Sequence, residues 1–205
     1  MARTYVEQSG QAQRSVASSS AQDAPAGTGA KKVRIHYLTS AYVAKTEDVT
    51  LNGTSKVNTV ASDIRFIEKF HVIEGAAAAG AIVLYDGTGG GATEVTGIGV
   101  GTFDAFLCHH YVPAGKSGYV YGWGASSDDE VKLKLMGRST YGVNIVDEHW
   151  DLVNLMGIAT PPGLLIFDRR LVAVPYAEKA YIRATMIPNQ TSSTTVRGEL
   201  LCWEM

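Results

Sequence analysis

The triplet Cys108-His109-His110 is the best candidate for metal chemistry in the sequence. On a strand, Cys108 and His110 share one face and His109 points to the other. Two ligands at this spacing can hold a metal, but a structural zinc site takes four, and the sequence contains no C-x-x-C pair. The segment Asp147 to His149 offers carboxylates and an imidazole, for which a solvated turn is the simpler interpretation. We therefore expect ordinary strand histidines here, with no metal and no cofactor.

A glycine-rich run, Gly87 to Ala92, has the spacing of a dinucleotide-binding loop and follows the apolar segment Ala81 to Tyr85. Such a loop requires a helix next, because the amides of the helix N-terminus hold the pyrophosphate. The following residues, Thr93 to Gly99, instead have the pattern of another strand. We therefore predict a flexible hairpin loop rather than a nucleotide site.

The sequence shows no convergent set of catalytic groups. It has no G-x-S-x-G nucleophile motif, and Cys108 cannot form a dyad with His109 because adjacent strand residues face opposite ways. The carboxylates of Asp128 to Glu130 fall in a polar loop. We predict that the protein is not an enzyme; an enzyme acting on carbohydrates or other substrates from a β-sandwich remains the alternative.

An aromatic stripe of Tyr119, Tyr121 and Trp123 lies on one face of a predicted strand. These rings could stack on sugars or bases. Packing in the core or between subunits is the interpretation we favour, which makes the stripe a candidate for subunit contacts.

Alternation with a period of two, from Lys31 onward, predicts the elements that position these residues. Val33, Ile35 and Tyr37 alternate with polar side chains, as expected for a strand with one buried face. Turn signals such as Asn-Gly and Asp-Gly pairs separate about ten such runs. Only the segment Asp147 to Met156 has the pattern of a short helix. This organisation predicts an all-β protein.

Two similar phrases, Val112 to Lys116 and Val174 to Lys179, are each followed by a strand, a polar loop and a second strand. Proline suits the entry to an edge strand, where its missing N–H does no harm. Two such hairpins in the same order fit a jelly roll made of two Greek keys, although coincidence is the alternative. We predict an antiparallel β-sandwich of the jelly-roll type with an extended N-terminal arm.

Composition and charge exclude several classes of protein. The chain has 205 residues, of which 45% are hydrophobic and 19% charged, and its net charge is −2. That balance argues against a nucleic-acid partner, since phosphate contacts need clustered lysine and arginine. The longest apolar run, Ala76 to Tyr85, is too short for a membrane span. We also expect no secretory signal in Met1 to Gly10, and no disulfide framework from Cys108 and Cys202.

The first thirty residues differ from the rest in composition. Residues 8–30 are almost entirely Gln, Ala, Ser, Gly and Thr, with too few large apolar side chains to offset the entropy of ordering. We therefore divide the chain into an arm, residues 1–32, and a jelly-roll domain, residues 33–205. A neighbouring subunit is the expected holder of the arm, and the alternative is that the arm lies on its own domain.

Three phrases of the sequence, taken in order, are Val49 to Val60, Val112 to Tyr119 and Leu171 to Arg183. They resemble the phrases VTLNGTTPVNTV, VPAGKTGY and PLxVPEKxxIxxR of a family of small β-rich proteins of tailed bacteriophages, mostly marine and aquatic. The resemblance covers residues 42 to 204, and it implies a structural component of a phage virion.

From this resemblance and the arm we expect a capsid cement, or decoration, protein. Its partners would be the major capsid protein and further copies of itself as a homotrimer, with no nucleic acid and no membrane. Such a protein is made in the host cytoplasm and ends on the capsid surface of the virion. The alternative is a tail or fibre module that binds a host glycan as receptor. The expected contact residues, in the arm and in the aromatic stripe, are Arg3, Tyr5, Val6, Val16, Tyr119, Tyr121 and Trp123. Deleting residues 1–30 should then leave a folded domain that no longer binds capsids.

Overall fold

A computed structural model describes residues 5–127, 131–138, 151–158, 166–188 and 196–204, with side chains for residues 5–119, 176–183 and 204. Over these ranges the chain forms fourteen β-strands and no helix, so the predicted all-β class is confirmed. Within the same ranges, no helix is long and apolar enough to cross a membrane. The strands are β1 (Ser15–Ser18), β2 (Ala30–Leu38), β3 (Ala44–Thr50), β4 (Val57–Asn58), β5 (Phe66–Gly75), β6 (Ile82–Asp86), β7 (Thr93–Ile98), β8 (His109–Tyr111), β9 (Gly118–Ser127), β10 (Val131–Arg138), β11 (Asp151–Ile158), β12 (Ile166–Tyr176), β13 (Tyr181–Pro188) and β14 (Val196–Glu204).

The chain divides into two compact units, Met1–Leu107 and Cys108–Met205. This division differs from the expected arm of residues 1–32 and domain of residues 33–205. The described strands fall equally between the units, with β1 to β7 in the first and β8 to β14 in the second. Each unit therefore has enough strands to build two sheets of its own.

The first unit contains two antiparallel sheets, in the orders β4-β1-β6-β7 and β3-β2-β5. The alternation predicted for β2 is confirmed, since Val33, Ile35 and Tyr37 are buried while Arg34 and His36 are partly exposed. Buried aliphatic and aromatic side chains of both sheets form one core, an arrangement consistent with a β-sandwich. Its largest fully buried apolar members include Phe70, Ile35, Ile64, Ile67, Ile82, Leu84 and Ile98.

A bulge in β5 explains why its apolar pattern is interrupted at Glu68. Tyr37 pairs with Ile67 and His36 pairs with Lys69, so Glu68 has no partner on β2. One extra residue shifts every following side chain to the other face. The core can therefore receive Ile67 before the bulge and Phe70 after it.

The N-terminal segment is part of the first unit, and a separate arm is not confirmed. Strand β1 lies between β4 and β6, with Val16 paired to Val57 on one side and to Leu84 on the other. All four residues of β1 are buried. The expectation of an arm held by a neighbouring subunit counted only apolar side chains, whereas this segment is retained by main-chain and polar hydrogen bonds.

The second unit also contains two antiparallel sheets, in the orders β11-β10-β13-β8 and β12-β9-β14. The pairs β10–β11, β9–β12 and β8–β13 are nested in sequence, each enclosing the one before it. Strands β10 and β11 lie in the same sheet, whereas every other two consecutive described strands of this unit lie in different sheets. Two sequence predictions are wrong here. Strands β9 and β10 do not form a hairpin with each other, and neither do β13 and β14. The described half of the predicted helix, from Asp151, lies in strand β11.

Candidate functional site

The clearest candidate for a contact surface is a loop in the first unit that exposes three large apolar side chains. Val100 is 63% exposed, Phe103 50% and Phe106 52%, and all three lie within residues 100–106. Single exposed apolar residues are normal, but a concentration of them marks a binding surface or an aggregation hazard. We call these three residues the apolar loop.

Main-chain hydrogen bonds fix the apolar loop on both sides. The amide of Val72 donates to the carbonyl of Phe103 at 2.7 Å, and the amide of Ala105 donates to the carbonyl of Phe70 at 2.8 Å. Residues 103–105 thus run along the outer edge of β5. Gly101, whose φ is 74°, donates to the carbonyl of Ala78 at 2.8 Å. A loop fixed in this way loses little conformational entropy when a partner covers it.

Sequence reasoning missed the apolar loop. The signal available was the run Gly97 to Phe106, in which apolar residues alternate with glycine, threonine and alanine. The strand pattern predicted from the sequence covers Thr93 to Gly99 and makes no statement about Val100, Phe103 or Phe106. Strand β7 ends at Ile98, and the following residues turn back along β5.

A polar face lies on the outside of the sheet β3-β2-β5. The rings of His36 and His71 stack there with centroids 5.2 Å apart and planes inclined by 21°. Burial lowers the pKa of both imidazoles, and the nearby Lys69 ammonium lowers them further. Both imidazoles therefore bind a proton less readily than a free histidine does. Within the part of the chain whose side chains are described, no third metal-ligating group joins this pair.

Ion pairs neutralise most of the charge on this polar face. Arg34 donates to both oxygens of Asp48, at 2.6 and 2.7 Å, and Lys32 lies 3.0 Å from Glu74. The bond from Arg34 lowers the pKa of the Asp48 carboxyl. Exposed pairs of this kind stabilise a fold little. The face is therefore a solvated surface without a charge pattern that selects a ligand.

Two buried polar clusters anchor the N-terminal segment. Asp23, fully buried, accepts hydrogen bonds from the amides of Ala30, Ala79 and Gly80 at 2.8 to 2.9 Å, and from the Ser18 hydroxyl at 2.5 Å. A carboxylate with four donors is satisfied despite its burial. This cluster connects the loop after β1 to the turn before β6.

The second cluster surrounds Arg14, whose side chain is also fully buried. Its guanidinium pairs with the carboxylate of Asp86 and donates to the carbonyls of Gly10 and Ile64, each at 2.9 Å. Burial lowers the pKa of Arg14 to about 10. Both clusters hold the N-terminal segment in place, and in the second the Asp86 side chain is 38% exposed.

The Cys108-His109-His110 triplet is divided between different environments in the second unit. His109 is buried and meets the rings of Tyr111 and Tyr181 edge to face, at 5.4 and 5.7 Å. His110 lies 3.0 Å from Glu204. Among the described side chains, no three metal-ligating groups come together.

The two proline phrases that echo each other in sequence form adjacent turns. The amide of Val112 donates to the carbonyl of Ala180 at 2.9 Å, and the amide of Lys179 donates back to Val112 at 2.8 Å. Gly115 also donates to the Glu178 carboxylate at 2.5 Å. The pairing of β8 with β13 brings these turns together. Their contacts are internal to the unit, so they stabilise it rather than form a site.

The glycine-rich run is a hairpin tip, as predicted. Strand β6 ends at Asp86 and β7 begins at Thr93, with the two strands paired. Nothing lies within 4 Å of where a side chain would start at Gly89. The ammonium of Lys56 donates to the carbonyl of Gly89 at 2.9 Å and lies over the Tyr85 ring.

The predicted contact residues differ in how far they are buried. Val16 lies in the core of the first unit and is fully buried, so it offers no exposed side chain for a surface contact in the single chain. Tyr5 packs against the same core, whereas Val6 is 44% exposed. Tyr119 is partly buried at the start of β9. The whole of Arg3 and the side chains of Tyr121 and Trp123 lie outside the described part of the chain.

Comparisons with protein-family models, with curated proteins and with solved structures found no match to this chain.

Proposed function

We propose that this chain is a structural protein of a bacteriophage virion, a capsid cement protein that binds the outside of the major capsid lattice and stabilises the head. The sequence resemblance is one support. The observation that carries the proposal is the apolar loop, in which Val100, Phe103 and Phe106 are exposed on a backbone held by hydrogen bonds. When a partner covers these side chains, apolar surface is removed from water and little conformational entropy is lost.

The fold supports a scaffold rather than a catalyst. The polar clusters at Asp23 and Arg14 are occupied by the chain's own donors and acceptors. We infer the jelly-roll class for the second unit from its nested pairs β10–β11, β9–β12 and β8–β13, which follow one long hairpin wrapped across two sheets. Rigid sheets with exposed loops suit a protein whose work is to hold neighbours together.

The cement role acts through added contact area. A packed genome pushes outward on a capsid, and a protein bound across the joints between capsid subunits resists their separation. Its partners are then the major capsid protein and other copies of itself, with a homotrimer matching a local three-fold position. We place it on the capsid surface of the virion.

A double variant, Phe103→Ser with Phe106→Ser, tests the apolar loop. Heads of the phage that lack the protein are incubated with wild type or variant, sedimented, and assayed for bound protein. We expect at least a tenfold loss of affinity. Val60→Ser is the matched control, because Val60 is 91% exposed but lies elsewhere in the unit. Equal binding of both variants and wild type would count against the proposal.

A second candidate is a tail or fibre module that binds a host glycan. The observation that favours it is the open glycine-rich tip between β6 and β7, where a side chain added at Gly89, Gly90 or Gly91 would start with nothing within 4 Å. Copy number in purified virions separates the two. Hundreds of copies support a cement protein, and about a dozen support a tail part.

A further inference from the structure

Strand β1 occupies an inner position in its sheet but has little apolar hold on it. Val16 is the one large aliphatic side chain between Gln8 and Ala30. The strand is nevertheless paired on both sides, with Ser15 opposite Asn58 of β4 and Tyr85 of β6. Its retention therefore depends mainly on hydrogen bonds.

Most of those hydrogen bonds use main-chain groups of the receiving unit. Ser18 donates from its amide to the carbonyl of Gly53 at 2.9 Å, and Ser19 donates to Ala81 at 2.9 Å. Asp23 binds the amides of Ala79 and Gly80. A β1 segment from a second copy of the chain would make the same set of contacts, because it has the same sequence and the receiving groups are unchanged.

A closed turn connects β1 to β2 and keeps β1 in the sheet of its own chain. The turn is held by the amide of Gly27 on the carbonyl of Ala24 at 2.9 Å, and by the amide of Gly29 on the carbonyl of Gln22 at 3.0 Å. It is tight, since a side chain at Gly27 would start 2.0 Å from the Gln22 carbonyl oxygen. If the turn opened, residues 5–23 would extend away from their own unit.

We infer that residues 5–23 exchange between copies of this chain, with the turn at residues 24–29 as the hinge. In the exchanged form each copy supplies β1 and Asp23 to the sheet of another, reciprocally in a dimer or in turn around the proposed homotrimer, and every first unit keeps its complete set of strands. Copies are then linked by strand pairs rather than by surface contact alone. This inference deepens the self-association in the proposed function. It is tested on the isolated chain, so it fails or holds independently of capsid binding.

Gly27→Ala in the full chain tests the hinge. The added methyl group clashes with Gln22 only while the turn is closed, so opening the turn relieves it. We expect a shift from monomer to dimer or larger species, measured by size-exclusion chromatography with light scattering after refolding. Gly10→Ala is the matched control, because nothing lies within 4 Å of a side chain there. A Gly27→Ala chain that is a folded monomer under these conditions overturns the inference.

A cross-linking experiment covers the case in which Gly27→Ala does not fold. Ser15 and Tyr85 are opposed on paired strands, at a separation suited to a disulfide. Chains carrying only Ser15→Cys are refolded together with chains carrying only Tyr85→Cys, and peptide mapping identifies the bonded positions. A disulfide joining positions 15 and 85 of different chains supports exchange. Its absence, when the double variant forms the same bond within one chain, contradicts exchange.

Discussion

The carboxylate of Asp23 accepts a 2.9 Å hydrogen bond from the backbone amide of Gly80, on the turn that precedes strand β6. The contact joins two segments far apart in sequence, and both of its groups are buried. It is part of what makes the N-terminal segment belong to the first unit. Four predictions about stability follow from this segment and from the polar face of the neighbouring sheet.

Replacing Asp23 with alanine should lower the free energy of unfolding by about 3 kcal/mol, because the amides of Ala30, Ala79 and Gly80 and the Ser18 hydroxyl lose their acceptor. Asp23→Asn should lose less, since its amide oxygen still accepts some of these bonds. The measurement is urea unfolding followed by circular dichroism. Asp104→Ala serves as control, because the Asp104 side chain is half exposed and its ion pair is long, with 3.9 Å between its Oδ1 and the Nζ of Lys69. A loss for Asp23→Ala no larger than for the control would show that the cluster is not needed.

Two arginines in ion pairs should respond differently to substitution by methionine. Arg14→Met removes a fully buried cation from its pair with the partly exposed Asp86 and leaves the carbonyls of Gly10 and Ile64 without a donor, which should cost about 3 kcal/mol. Arg34→Met breaks an exposed pair with Asp48 and should leave the unfolding midpoint nearly unchanged. Equal losses for the two variants would contradict the role assigned to burial.

Acidification should destabilise the first unit through its histidine pair. The pKa values of His36 and His71 are lowered in the folded state, so the unfolded chain binds more protons as the pH falls through about 6.5. Stability is therefore lost on going from pH 7 to pH 5.5. The double variant His36→Gln with His71→Gln should show a smaller loss over this range, measured by urea midpoints. A parallel decline of wild type and variant would assign the effect to other groups.

Deleting residues 1–29 should unfold the first unit, which reverses the expectation drawn from composition. The deletion removes β1 from between β4 and β6, along with Arg14 and Asp23. The expected result is rapid proteolysis within residues 30–107, mapped by mass spectrometry. Deletion of residues 1–4 alone is the control. Protection of residues 30–107 equal to that of the full chain would mean that β1 is dispensable.

The strands with strict alternation were predictable from the sequence. In β2 the buried Val33, Ile35 and Tyr37 follow the period directly, because one face meets the core and the other meets water. The hairpin around the glycine-rich run was predictable for a similar reason, as strand patterns flank it on both sides. Local information is sufficient where a strand pairs with its neighbour in sequence.

Strand β1 and the pairing in the second unit were not predictable in the same way. The segment Ser15 to Ser18 has a single large aliphatic residue. The segment is buried because it pairs with strands far away in sequence, where Asn58 and Tyr85 lie opposite Ser15. The polar segment between β9 and β10 has the composition of a hairpin turn, yet these two strands belong to different sheets. A turn signal says that the chain changes direction, and it does not say which strand lies beside the next one.

The candidate site was the least predictable feature. Exposure of Phe103 and Phe106 depends on the hydrogen bonds that place residues 103–105 along the edge of β5. Composition alone assigns phenylalanine to the core. The polar face was easier to predict, since the alternation in β2 already placed Arg34 and His36 on its outer side.

The pairing of β9 with β14 in the second unit sets an order of events during synthesis. Gly118 of β9 pairs with Glu204 of β14, so the ribosome must make every residue between them before that ladder can close. All the strands of the first unit, by contrast, lie before residue 108. The leading half of the nascent chain can thus complete its own sheets while the trailing half is still waiting for its final partner, and pairings this distant in sequence close slowly.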